Sequence, residues 1–134
     1  MKNLSLLLCL ISLLFLSCKT KEVEKAKSIA VFVPGIIDNS PVYEMLVEGI
    51  KEAVDGYNEE VEEDKAVQLF VMEAGTNQAE WGSKLLGLAA SQQYDLIISS
   101  NPSLPELTLP IIEAFPNQKF ILLDASYSGN ENIY

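Results

Sequence analysis

Short apolar runs alternate with longer stretches of helical period along most of this chain, and that alternation limits the fold more than any other feature. Residues 28–33 (Ser-Ile-Ala-Val-Phe-Val) are a continuous apolar run stopped by Pro34-Gly35, the pattern of a strand buried on both faces. Val42, Met45, Leu46, Ile50, Ala53, Val54 and Tyr57 then recur at helical spacing, with Glu44, Glu48, Lys51, Glu52 and Asp55 on the other side. This predicts an amphipathic helix, with Ser40 as its N-cap and Pro41 at its first position. The unit repeats as a strand over 66–72, a turn at Gly75-Thr76-Asn77 and a helix over 78–92, where Asn77 and Glu80 have the spacing of a capping box. A third round gives a strand over 95–99, a loop at 100–102 and a helix near 105–115, which Pro110 should kink or divide. The fourth strand is 119–123, ending in Asp124, and Ile133-Tyr134 opens a fifth. The acidic run 59–64 reads as a solvated loop.

Strands alternating with helices specify an α/β domain: a parallel sheet with right-handed crossovers and helices on both faces. The expected strand order is 2-1-3-4. Ligands in such sheets bind beyond the carboxyl ends of the strands, where the order reverses between strands one and three. The loops arriving there, 34–40, 99–102 and 124–127, carry Asp38, Asn39, Ser40, Ser100, Asn101 and Asp124. Asp38 and Asp124 either form a carboxylate pair or tie down their own loops. Tyr43 and Trp81 each lie in the first turn of a helix near that edge, where a ring can stack on a flat ligand or pack into the core and its rim.

The amino terminus is of another kind. After Met1-Lys2-Asn3, residues 4–16 are almost entirely apolar, too short to span a bilayer core of about 30 Å but the length of a signal-peptide core. Phe15-Leu16-Ser17-Cys18 resembles the lipobox of bacterial lipoproteins, so residues 1–17 are expected to be a signal peptide and Cys18 the lipid-bearing first residue of the mature chain. Residues 18–27 form a polar, charge-alternating tether, and 28–134 form the folded lobe.

Composition removes several kinds of chemistry. The formal charge is −10, every basic residue is lysine and there is no histidine, which argues against a nucleic-acid groove. Cys9 leaves with the signal peptide and Cys18 is acylated, so thiol catalysis and Cys/His zinc sites are excluded. The phosphate-cradling patterns GxGxxG and GxxxxGK[ST] are missing, no serine sits in a GxSxG elbow, and Ser99-Ser100 stand where a receiver domain needs its aspartate. No enzyme activity and no cofactor are expected.

Residues 28–41, Glu48-Gly49, Tyr94-Asp95-Leu96-Ile97-Ile98 and residues 115–124 (Phe-Pro-Asn-Gln-Lys-Phe-Ile-Leu-Leu-Asp) are similar to the basic membrane protein family. These are purine-nucleoside-receptor lipoproteins, substrate-binding components of ABC importers. The resemblance implies a type I periplasmic-binding-protein fold, in which two α/β lobes close on a nucleoside. Its implied partners are a purine nucleoside, an ABC permease and the membrane, reached through the lipid and facing the periplasm or exterior. Asp38 and Asn39 fall where the family has paired aspartates, Asp124 matches its aspartate after strand four, and Ser100 and Asn101 lie in a cleft-lining loop. The family's ring-stacking phenylalanine falls on Val42, with Tyr43 beside it as the substitute. Asn132-Ile133-Tyr134 matches the point where the family's chain enters the hinge, so the resemblance implies an N-terminal lobe alone, impaired in binding. The competing reading is a membrane-anchored surface lipoprotein that adheres to a host or partner protein without using a cleft.

Overall fold

β1 (Ser28–Val33) is an inner strand, paired in parallel with β2 (Gln68–Glu73) on one side and β3 (Leu96–Ser100) on the other. β4 (Lys119–Leu123) pairs in parallel with β3, so the order is β2-β1-β3-β4, as the alternating pattern requires. The structure, a computed structural model, describes residues 26–126, 129 and 131–134. The expected signal peptide, Cys18, the tether as far as residue 25, and Tyr127 lie outside the described residues. Beyond β4, Ile133 forms a parallel bridge with Phe120, and the Tyr134 N–H donates to the Phe120 carbonyl at 3.0 Å. A fifth strand therefore opens where the sequence places it.

Register assigns each strand residue to a face, because paired residues in a sheet point the same way. Ala30, Phe32, Ile97, Phe120 and Leu122 share one face. Against it pack α2 (Trp81–Ser91) and α3 (Leu104–Ala114), through Trp81, Leu85, Leu88, Ala89, Leu104, Ile111 and Ile112. Val31, Val33 and Ile98, all buried, lie on the other face, which α1 (Pro41–Glu60) covers from the β2 side. One face thus has two helices and the other has one. Right-handed crossovers dictate this division: the step from β1 to β2 runs one way along the sheet, and both later steps run the other.

Several expectations from the sequence need correction. The second strand is shifted to Gln68–Glu73 because the Lys27 carbonyl accepts from Gln68, which leaves Ala66 and Val67 in the approach. The third strand and third helix each move by one residue, to Leu96–Ser100 and Leu104–Ala114. The helix expected over 78–92 divides into a 3-10 turn at Gln78–Glu80 and α2, which Gln92 ends in the left-handed conformation (φ 51°). Asn77 caps the turn by accepting from the Ala79 N–H (3.3 Å) and closes it by donating to the Glu80 carboxylate (2.8 Å). Lys84 also bonds that carboxylate, and the Lys84 bond, the Asn77 bond and the lysine charge, in that order, hold the Glu80 carboxyl below its ordinary value.

Pro110 does not divide α3, which runs as one helix through it. The carbonyl that its missing N–H would have bonded belongs to Glu106, and both residues are exposed, where an unpaired carbonyl costs little. Ser40 does occupy the N-cap position of α1, but its side chain makes no capping bond, and Pro41 alone carries the start signal. In α1 itself the inward line is Leu46, Ile50 and Val54, whereas Val42, Met45 and Tyr57 are exposed. A helix lying alone on a sheet buries a narrower stripe than one flanked by neighbours. The acidic run is solvated as expected, but Glu59 and Glu60 close α1 and Glu63–Lys65 form a 3-10 turn.

The return from α1 to β2 is fastened by one side chain. The Asn58 amide donates to the Val67 carbonyl at 2.9 Å and accepts from the Val67 N–H at 2.7 Å, pairing with the backbone much as a neighbouring strand would. Asn58→Ala removes both bonds and is expected to cost about 1–3 kcal/mol in urea unfolding, with an unchanged slope. Asn58→Asp keeps an acceptor and loses the donor, so it should recover only part of that loss.

Candidate ligand-binding edge

The carboxyl ends of the four strands form one edge, and β1 and β3 send their chains to opposite faces there: β1 leads to α1, and β3 to α3. This divergence is a topological switch point, the place where open α/β sheets bind their ligands. The loop after β1 is braced at several points. The Gly35 N–H donates to the Val33 carbonyl (2.8 Å), the Tyr43 hydroxyl donates to the Pro34 carbonyl (3.1 Å), and the Glu73 carboxylate at the end of β2 accepts from the Ile37 N–H. Gly35, at φ 158°, lies so close to Tyr43 that a Cβ there would fall 2.9 Å from the ring. The loop then turns through Asn39 in the left-handed conformation (φ 62°), a cost that asparagine tolerates better than most residues. Asp38 and Asn39 are exposed, and Ser40 is half-buried at the mouth of α1.

On the β3–β4 side, Ser100 is buried and its hydroxyl donates to the Asp124 carboxylate at 2.6 Å. Asp124 is exposed and also left-handed, with φ 53°. Asn101 folds its side-chain oxygen back to accept from the Ser103 N–H at 2.9 Å, setting the turn into α3. Below these residues, the Ser99 hydroxyl donates to the Phe32 carbonyl and ties β3 to β1 inside the core.

Of the residues singled out from sequence, Asp38, Asn39 and Ser40 stand on one loop, and Ser100 and Asp124 are bonded to each other. β3 lies between the strands whose loops carry Asp38 and Asp124, so the two aspartates stand on separate loops at the same end of the sheet. Tyr43 is half-buried, with its hydroxyl already bonded. Trp81 is not at the ligand surface: it is 6% exposed, packed with Ala74, Leu85 and Leu88, and its indole N–H donates to the Gly75 carbonyl at 2.7 Å. Its position opening a helix put it near the edge, but its bulk and N–H suit the core side of the turn. Sequence reading missed Glu73 and Lys84. A carboxylate ending an otherwise apolar strand was the available signal for Glu73, whereas Lys84 looked like an ordinary surface lysine.

A groove of about 720 Å³ lies at the other end of the sheet, among Lys27, Tyr94, Asp95, Phe115 and Lys119. It sits under the amino ends of the strands, away from the switch point, and the divergence of β1 and β3 is the better guide to the ligand site. The edge at the switch point presents one polar wall instead of a closed cavity. Its groups are chiefly acceptors, suited to a ligand that carries several N–H or O–H donors.

The fold is similar to an ABC transporter system solute-binding protein from Aeropyrum pernix K1 (TM-score 0.65, 21% identity, 80% of this chain and 27% of that one). It is also similar to a lipoprotein fragment from Peptoclostridium difficile 630 (TM-score 0.60, 17% identity, 80% and 81%). A third similar structure is a transcriptional activator of the comK gene from Bacillus halodurans (TM-score 0.59, 16% identity, 79% and 32%). The chain thus spans about a third or less of the first and third. At these identities the likeness is one of fold, and the differing roles of the three caution against reading function from it. The sequence carries more: the family model described as ABC transporter substrate-binding protein, PnrA-like, matches residues 26–134, and the chain belongs to that family, Bmp.

Proposed function

We propose that this chain provides one lobe of the solute-binding component of an ABC importer, anchored through a lipid on Cys18, with a purine nucleoside as its ligand and an ABC permease as its partner. The family match over residues 26–134 is the observation that carries the solute-binding role. The nucleoside reading draws support from the acceptor-rich edge. Asp38 and Asn39 on one loop and Asp124 on another suit the ring N–H groups and sugar hydroxyls of such a molecule, and Ser100 holds one oxygen of Asp124 in place. Tyr43 and Asn101 serve this edge by shaping its loops. The role is one of binding and presentation, and the anchor places it on the outer side of the cell membrane, facing the periplasm or exterior.

Lipidation has a direct test. Metabolic labelling with an acyl analogue should mark the wild-type chain and leave Cys18→Ala unmarked; equal labelling of the two would remove the anchor from the proposal.

The ligand edge is tested in a chimera that adds the second lobe of a longer Bmp relative. Asp38→Ala and Asp124→Ala should each weaken nucleoside binding by about 1.5–3 kcal/mol, the worth of a hydrogen bond to a charged group. Unchanged calorimetric affinity in both variants would reject this edge as the site.

A single wall also limits affinity. Ligand pockets typically bury about 70–90% of a small molecule's surface, and one lobe covers a single side, so the remaining hydrogen bonds compete with water. The soluble form started at Lys19, without the lipid, should therefore bind nucleosides weakly or not at all in titration calorimetry. Submicromolar binding by a monodisperse monomer would establish the opposite, a complete receptor in one lobe.

A further inference from the structure

A row of hydrogen bonds connects the core to the loop that bears Asp38 and Asn39, and it runs through the turn after β2. Trp81, buried in the core, donates its indole N–H to the Gly75 carbonyl at 2.7 Å. Lys84, one turn further along α2, donates to the Ala74 carbonyl at 2.8 Å and pairs with Glu80 at 2.8 Å. The N–H groups of the same two turn residues donate in the other direction, Ala74 to the Val33 carbonyl and Gly75 to the Gly35 carbonyl, each at 2.8 Å. Residues 74 and 75 are therefore gripped by α2 through their carbonyls and grip the end of β1 through their amides. Glu73, immediately before them, adds the bond to the Ile37 N–H.

We infer that Trp81 and Lys84 are positioning residues for loop 34–39: α2 sets where Asp38 and Asn39 stand by fixing the Ala74–Gly75 turn. Gly75 lies at φ 74°, a conformation that glycine enters and leaves freely, so this turn has little stiffness of its own. The indole N–H supplies the stiffness, because it belongs to a ring held in the core and movement of the turn would break its bond to the Gly75 carbonyl. Packing of Trp81 in the core is thereby converted into a fixed position for the polar loop. The functional weight of this arrangement rests on the reading of Asp38 and Asn39 as ligand contacts.

Amide exchange on the full chain in detergent micelles tests the inference without any ligand. Trp81→Phe, which keeps the ring and removes the donor, and Lys84→Met, which keeps the stem and removes the ammonium, should each speed exchange at Gly75 and Ile37 by about tenfold, the worth of one hydrogen bond. Amides in the centres of β1 and β3 should keep their protection. Ile112→Val, a methyl deletion in the same core, should leave Gly75 and Ile37 unchanged. A uniform rise over the whole sheet in the first two variants, or an equal rise at Gly75 and Ile37 in Ile112→Val, would reduce Trp81 and Lys84 to general stability and overturn the inference. The chain has one tryptophan, so its indole N–H gives a single resonance. Slow exchange of that proton is expected, and rapid exchange would overturn the inference as well. Nucleoside titration of the same variants in the two-lobed chimera separates this inference from the site reading. Faster exchange with unaltered affinity would overturn the loop's role in binding, and weaker affinity with unaltered exchange would overturn the positioning role.

Discussion

β1 lies between two parallel neighbours, and the rest of the lobe follows from that placement. A strand in this position has no free edge and no solvent face, which is why its sequence is apolar at nearly every residue. With handedness fixed, the first crossover must travel to one side and the next two to the other, so helices are distributed one and two over the faces. The opposite turns of the chain at the ends of β1 and β3 are a by-product of the same rule. No residue of the ligand edge has to create that divergence; the polar loops only have to furnish it.

The two faces are consequently unlike in physical character. Under α2 and α3 the core is continuous, with Phe32, Ile97, Phe120 and Leu85 fully enclosed. Beneath α1, Val31 and Val33 are sealed, but Leu96 and Ile121 are half-covered and Leu123 is exposed. α1 is the longest helix described, yet Val54 is its one buried residue. Local opening should be easier on that side, since protection scales with the apolar contacts that must be broken. Asn58 gains importance from this: its backbone pairing holds the far end of a lightly packed helix to the sheet.

The strand order, the switch point and the β1–α1 connection were legible in the sequence because hydrophobic period and chirality are local or general rules. Asp38, Asn39, Ser100 and Asp124 were legible as a group for the same reason, since topology alone brings their loops to one edge. What could not be read was anything that depends on how the elements pack in three dimensions. The bond between Ser100 and Asp124 needs β4 beside β3. The retreat of Trp81 into the core needs the Gly75 carbonyl above it, and the persistence of α3 through Pro110 needs knowledge of which flank meets water. Ser40 illustrates the converse. It has the right residue type at the right position, but the backbone there is already set by Pro41 and by the Ile37 carbonyl, which accepts the Ser40 N–H.

Because every strand runs the same way, the lobe has a bottom and a top. The chain arrives at the bottom, at Lys27, beside the groove formed with Asp95 and Lys119. β1 then climbs six residues, about 20 Å at the rise of a parallel strand, before its polar loop begins. The acceptor-bearing rim and the point where the chain enters the lobe therefore stand at opposite ends, separated by the full height of the sheet.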